Sequence, residues 1–81
     1  MYEKVLIIKG VEVELFFFEL QNGFKISLRS ATKVPVNKLA AEFNGGGHFF
    51  AAGARLENKK MEETIPKVIE KATEYLQRYL K

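Results

Sequence analysis

Between Val11 and Leu28 two alternating runs meet at a short polar link, and this pattern constrains the fold more than any other stretch. Val11, Val13, Leu15 and Phe17 recur at every second position, which sets them on one face of an extended strand. The intervening Glu12, Glu14, Phe16 and Phe18 turn the opposite face from charged to aromatic, so its second half is expected to be covered as well. Asn22 and Gly23 read as a two-residue linker suited to a type I′ turn. Phe24, Ile26 and Leu28 then resume the apolar set, while Lys25, Ser27 and Arg29 form a polar, basic stripe that leads to Ser30. A β-hairpin is the consequence.

The remaining segments build around that hairpin. Val5 to Ile8 is a continuous apolar run that reads as a strand buried on both faces, broken by Lys9 and Gly10. Past Pro35, the positions Val36, Leu39, Ala40 and Phe43 follow the i, i+3, i+4, i+7 spacing of a short helix lying on a sheet, with Asn37 near its start as the cap. Asn44 and the glycines after it end that helix and open a mobile loop. Ala54 to Leu56 suggest a short strand. Ile65, Val68, Ile69, Ala72, Leu76, Tyr79 and Leu80 trace one face of a closing helix, with Pro66 placed in its first turn. The expected fold is therefore α+β: a small mixed sheet of about four strands, helices packed mainly on one face, and a single domain over 1–81.

Composition limits the function classes. An 81-residue chain buries only about 60% of its unfolded surface, so the core has to be efficient, and an apolar fraction of 47% with seven Phe supplies it. The chain has no Cys, no Asp and one His, which excludes disulfides, thiol nucleophiles and a self-contained two-metal hydrolytic centre. No catalytic residue and no metal ligand is expected within it. Apolar runs are too short for a bilayer, residues 1–20 lack a signal-peptide pattern, and a cytoplasmic setting is expected without membrane association. The net charge of +3 leans mildly toward an anionic partner.

The segment Gly45-Gly46-Gly47-His48-Phe49-Phe50-Ala51-Ala52-Gly53-Ala54 carries the functional signal. Successive N–H groups of side-chain-free residues converge on an anion, and a His or Arg beside them adds charge-assisted bonds to phosphate oxygens. The same glycines also suit a plain connector, and Phe49 and Phe50 suit either the core or a stacked base.

With the Ser27-Leu28-Arg29-Ser30 strand end and the helix before it, this segment resembles the DHH-associated domain, type 1, of the DHH phosphoesterases, over about residues 11 to 80. The resemblance implies a C-terminal substrate-binding lobe beside a separate manganese-loaded catalytic lobe that is absent from this chain. It implies that Gly45, Gly46, Gly47 and His48 contact substrate phosphate and that Arg29 and Ser30 bind the nucleotide end. The expected partners are a phosphorylated nucleotide or short single-stranded nucleic acid, a DHH catalytic domain in cis or trans, and a second copy of the chain. Oligoribonucleases, RecJ-type exonucleases and phosphodiesterases of cyclic dinucleotides or phosphoadenosine phosphate belong to that family. The chain by itself is expected to be inactive. The alternative is a noncatalytic RNA-binding module similar to the end of alanyl-tRNA synthetases.

Overall fold

The computed structural model describes residues 3–79 as one five-stranded sheet backed by two helices. In chain order the elements are β1 (Glu3–Ile8), β2 (Val13–Leu20), β3 (Gly23–Ser30), α1 (Val36–Ala41), β4 (Gly46–Gly47), β5 (Ala51–Glu57) and α2 (Met61–Leu76). The sheet order is β1-β2-β3-β5-β4, and every neighbouring pair is antiparallel. The α+β class stands, with the helices on one face; the sheet is antiparallel throughout rather than mixed, because hairpins make every link except the helical excursion from β3 to β4.

Alternation along β2 and β3 sorts side chains to two faces. Val13, Leu15, Phe17, Phe24, Ile26 and Leu28 are fully buried on the inner face, in register as Leu15 opposite Leu28 and Phe17 opposite Ile26. Val36, Leu39 and Ala40 of α1 and Met61, Ile65, Val68, Ala72, Tyr75 and Leu76 of α2 close over them. Fully burying an aliphatic or aromatic side chain of this size contributes about 1.5–3 kcal/mol, so this layer holds the domain together. The buried Tyr75 hydroxyl donates to the Pro35 carbonyl at 2.7 Å, tying α2 to the start of α1.

Several local expectations are corrected. The strand over residues 5–8 lies at the sheet edge and is open on its outer side, with Val5 and Ile7 about half exposed; four apolar residues in a row do not distinguish an edge strand from a central one. The link between β2 and β3 is Gln21–Asn22, with Gly23 paired to Leu20, and Asn22 does not take the positive φ of a type I′ turn. Glycine at 23 answers a different need: φ is +146°, and a Cβ there would collide with the Leu56 carbonyl of β5.

Asn37 does not cap α1. Pro35 occupies the cap position without a side-chain bond, and the Val36 N–H is taken by the Phe49 carbonyl at 2.9 Å. The Asn37 Oδ1 atom is buried without a hydrogen-bond partner. Pro66 falls in the second turn of α2, since the helix begins at Met61. Its ring removes a bond to the Glu62 carbonyl, and both residues are exposed, so water can take that carbonyl. Leu80 lies outside the described residues.

Candidate functional site

The glycine segment is a hairpin pinned to its surroundings, not a mobile loop. At the end of α1, Asn44 takes φ 62°, its N–H reaches the Ala41 carbonyl at 3.1 Å, and the Gly45 N–H reaches the Ala40 carbonyl at 2.9 Å. That pair of bonds is a Schellman closure with Asn in the left-handed position. Gly46 and Gly47 then pair with Gly53 and Ala52 as β4, and the His48 N–H donates to the Ala51 carbonyl at 2.7 Å. At the hairpin tip, the Phe49 carbonyl accepts from Val36 and the Phe50 carbonyl accepts from the Ser30 N–H at 2.9 Å. Three elements, α1, β3 and β5, thus hold the hairpin tip from His48 to Phe50.

The N–H groups therefore do not converge on a common point, as the glycine triplet suggests they should. Helix closure takes the one at Gly45 and the hairpin takes the one at His48. The glycines differ in why they are needed. A Cβ at Gly45 would run into the Gly53 carbonyl and, at 2.6 Å, the Ala54 Cβ; Gly47, at φ +144°, would meet the Ala51 carbonyl at 2.8 Å. Gly46 is the exception, with nothing within 4 Å of an added Cβ. Packing does not require glycine there, and open space in front of a backbone is what a close-approaching ligand needs.

Register brings a subset of the expected residues onto one face. Arg29 pairs with Ala51, Ala51 faces His48, Ser27 pairs with Gly53, and Gly53 pairs with Gly46. Cross-strand partners project to the same side. Arg29, Gly46 and His48 accordingly share the outer face, away from both helices, with only small residues between them. Arg29 and His48 are two strand spacings apart, about 10 Å at the backbone, and both are exposed.

Ser30 is not brought to them. It stands on the inner side opposite Val13 and is buried, and its hydroxyl donates to the Thr32 carbonyl at 3.4 Å and accepts the Thr32 N–H at 3.3 Å. Its side chain holds the bend after β3, and its N–H anchors the hairpin tip. Sequence reasoning missed Arg55, which pairs with Lys25 on the outer face, four residues along the strands from the Arg29–Ala51 pair. The alternation Ala51, Gly53, Arg55 carries its side, but the β3–β5 pairing that brings it to Lys25 spans 30 residues and leaves no local mark. The face also bears the carboxylates of Glu14, opposite Arg29, and Glu57, opposite Gly23.

Phe49 and Phe50 are exposed, at 44% and 57%, and pack edge to face with ring centroids 4.7 Å apart. They are not core residues. Phe16 and Phe18 lie on the outer face with near-parallel rings, and the Arg29 guanidinium lies 5.9 Å from the Phe16 ring centroid.

An antiparallel sheet with helices on one side thus leaves an open face on the other, bearing Arg29, His48 and the unobstructed Gly46. The chain belongs to the DHHA1 domain family, whose match covers residues 1–78. It is 34% identical over 71 residues to the bifunctional oligoribonuclease and PAP phosphatase NrnA of Thermus thermophilus, covering 88% of this chain and 22% of that protein. The crystal structure of an exopolyphosphatase-related protein from Bacteroides fragilis superposes with a TM-score of 0.74 at 47% identity, over 88% of this chain and 21% of that one. The chain thus spans about a fifth of the length of these relatives. No helix among the described residues is long and apolar enough to cross a membrane.

Proposed function

We propose that the chain is the phosphate-gripping domain of a DHH-family phosphoesterase, holding a phosphorylated nucleotide or short single-stranded nucleic acid for a catalytic domain supplied in cis or in trans. The observation that carries this is the placement of Arg29, Gly46 and His48 on one open sheet face, with Gly46 the glycine that packing does not explain. The Arg29 guanidinium donates a planar fork to two phosphate oxygens, the His48 imidazole donates one N–H, and Gly46 lets the ligand lie against the backbone. The names of the two relatives, an oligoribonuclease and PAP phosphatase and an exopolyphosphatase-related protein, have phosphate chemistry in common. That favours this reading over a noncatalytic RNA module.

The domain's share of catalysis is positioning: a phosphoryl group held in place at the interlobe cleft meets its attacking group without a bimolecular entropy cost. Manganese, which the resemblance implies, does not fit this chain's own donors. Among the described residues no three of His, Cys, Asp and Glu are gathered; the catalytic domain would hold the metal.

The test is an amide NMR titration with a 5′-phosphorylated dinucleotide and its unphosphorylated twin. The phosphorylated ligand is expected to shift Arg29, Gly46, His48 and Ala51 selectively, and His48→Ala is expected to abolish the difference. Equal shifts from both ligands, or none at millimolar concentration, contradict the proposal, as does hydrolysis by the manganese-loaded chain alone.

A further inference from the structure

We infer that Phe16 and Phe18 form the nucleobase platform of this site, so that the base attached to the gripped phosphate stacks against their rings; the inference rests on the phosphate reading above. The two side chains lie two residues apart on the outer face of β2, half-buried, with no helix over them. Their rings are within 11° of parallel and their centroids 6.5 Å apart. That spacing is too far for the two rings to be in face-to-face contact with each other. A base can therefore stack on the aromatic surface they present.

The phosphate anchor adjoins this platform. Arg29 lies 5.9 Å from the Phe16 centroid, over the ring, and Phe18 follows Phe16 on the side away from Glu14, the register partner of Arg29. On β3 the neighbours of Phe16 and Phe18 are Ser27 and Lys25, one short and one cationic. A single strand spacing of about 4.8 Å separates β2 from the strand that carries Arg29, a step that one nucleotide bridges from base to phosphate. Aromatic rings beside cations complement a nucleotide, which is flat and apolar at one end and anionic at the other.

Other apolar residues are poorer candidates. Phe49 and Phe50 already present an edge and a face to each other, and Val5 and Ile7, though exposed, have no π face. A protein partner would accept any apolar side chains at 16 and 18, whereas a base requires aromatic ones.

The experiment compares a 5′-phosphorylated diadenosine dinucleotide with ribose 5-phosphate, which has the phosphate but no base, on the wild type, Phe16→Leu/Phe18→Leu, Phe16→Tyr/Phe18→Tyr and His48→Ala. The expected result is a loss of about 5- to 150-fold in dinucleotide affinity for the Leu pair, the range of base–aromatic stacking. Ribose 5-phosphate binding stays unchanged, and the Tyr pair restores dinucleotide affinity. The chain has no Trp, so Phe18→Trp is a single reporter whose emission the dinucleotide should quench and ribose 5-phosphate should not. If the Leu pair binds the dinucleotide as the wild type does while His48→Ala weakens both ligands, the phosphate reading stands, this inference fails, and the aromatic stripe belongs to a protein partner. Loss of both ligands in a folded Leu pair also overturns it. No binding of ribose 5-phosphate to the wild type, with His48→Ala inert, removes the phosphate reading and the platform with it.

Discussion

The two faces of the sheet are built from the same strands and differ in every other respect. On the inner face, Leu15, Phe17, Ile26 and Leu28 have no solvent exposure and lie under both helices. One residue further along the same strands, Phe16, Phe18, Lys25 and Arg29 point the other way, with no helix over them. A small domain that holds its fold through one layer leaves the other face free of packing constraints, and cations, aromatics and an open glycine can collect there without loss of stability. Stability should therefore respond to the inner face and ligand binding to the outer one.

Truncating the inner layer should have the largest effect. Phe17→Ala or Leu28→Ala leaves a cavity under the helices and should cost about 3–5 kcal/mol for Phe17 and about 2–5 kcal/mol for Leu28, a large share of the roughly 5–15 kcal/mol available to a domain; urea denaturation followed by circular dichroism measures it. Arg29→Ala on the outer face of the same strand should move the midpoint little. Equal losses from the two faces would break the distinction.

Within the glycine triplet a smaller effect divides along the same line. Gly45→Ala forces a Cβ onto the Gly53 carbonyl and should cost about 1–3 kcal/mol, the usual range for overpacking. Tyr75 offers a sharper probe of the inner side. Burial first, and then the neighbouring Tyr79 phenol, push its pKa up to about 12. The unfolded chain releases that proton near pH 10, so the contribution is fully present below pH 10 and is lost as the pH rises from about 10 through 12. Tyr75→Phe should cost about 1–3 kcal/mol, since the Pro35 carbonyl loses its donor, and should remove the Tyr75 part of that alkaline decline in melting temperature. The smallest effect belongs to the half-exposed Lys71–Glu42 pair at 3.7 Å: Lys71→Ala should change stability by no more than about 1 kcal/mol.

The hairpin of β2 and β3 and the two helices were legible because period-two and period-3.6 patterns are local consequences of burial on one side. The position of Arg29 on a basic stripe followed from the same alternation. What escaped was set by partners distant in sequence. Val5 and Ile7 looked doubly buried because nothing local marks an edge, and β4 consists of two glycines, which carry no pattern at all. Asn37 resembled a cap because the Phe49 carbonyl that caps α1 comes from a hairpin 13 residues away. Ser30 follows Arg29 directly and so faces the opposite side, a consequence of alternation that its place next to Arg29 in the motif obscured. Arg55 joined the outer face through the β3–β5 pairing.

Gly46→Ala tests the division between the faces most directly, through a thermal melt and a titration with the 5′-phosphorylated dinucleotide on one sample. An added Cβ meets nothing within 4 Å, so stability should hold or rise by up to about 1 kcal/mol, while dinucleotide affinity falls because the methyl group occupies the ligand's approach to the backbone. A variant that melts early, or one that binds the dinucleotide as tightly as the wild type, would contradict the assignment of this face to the ligand.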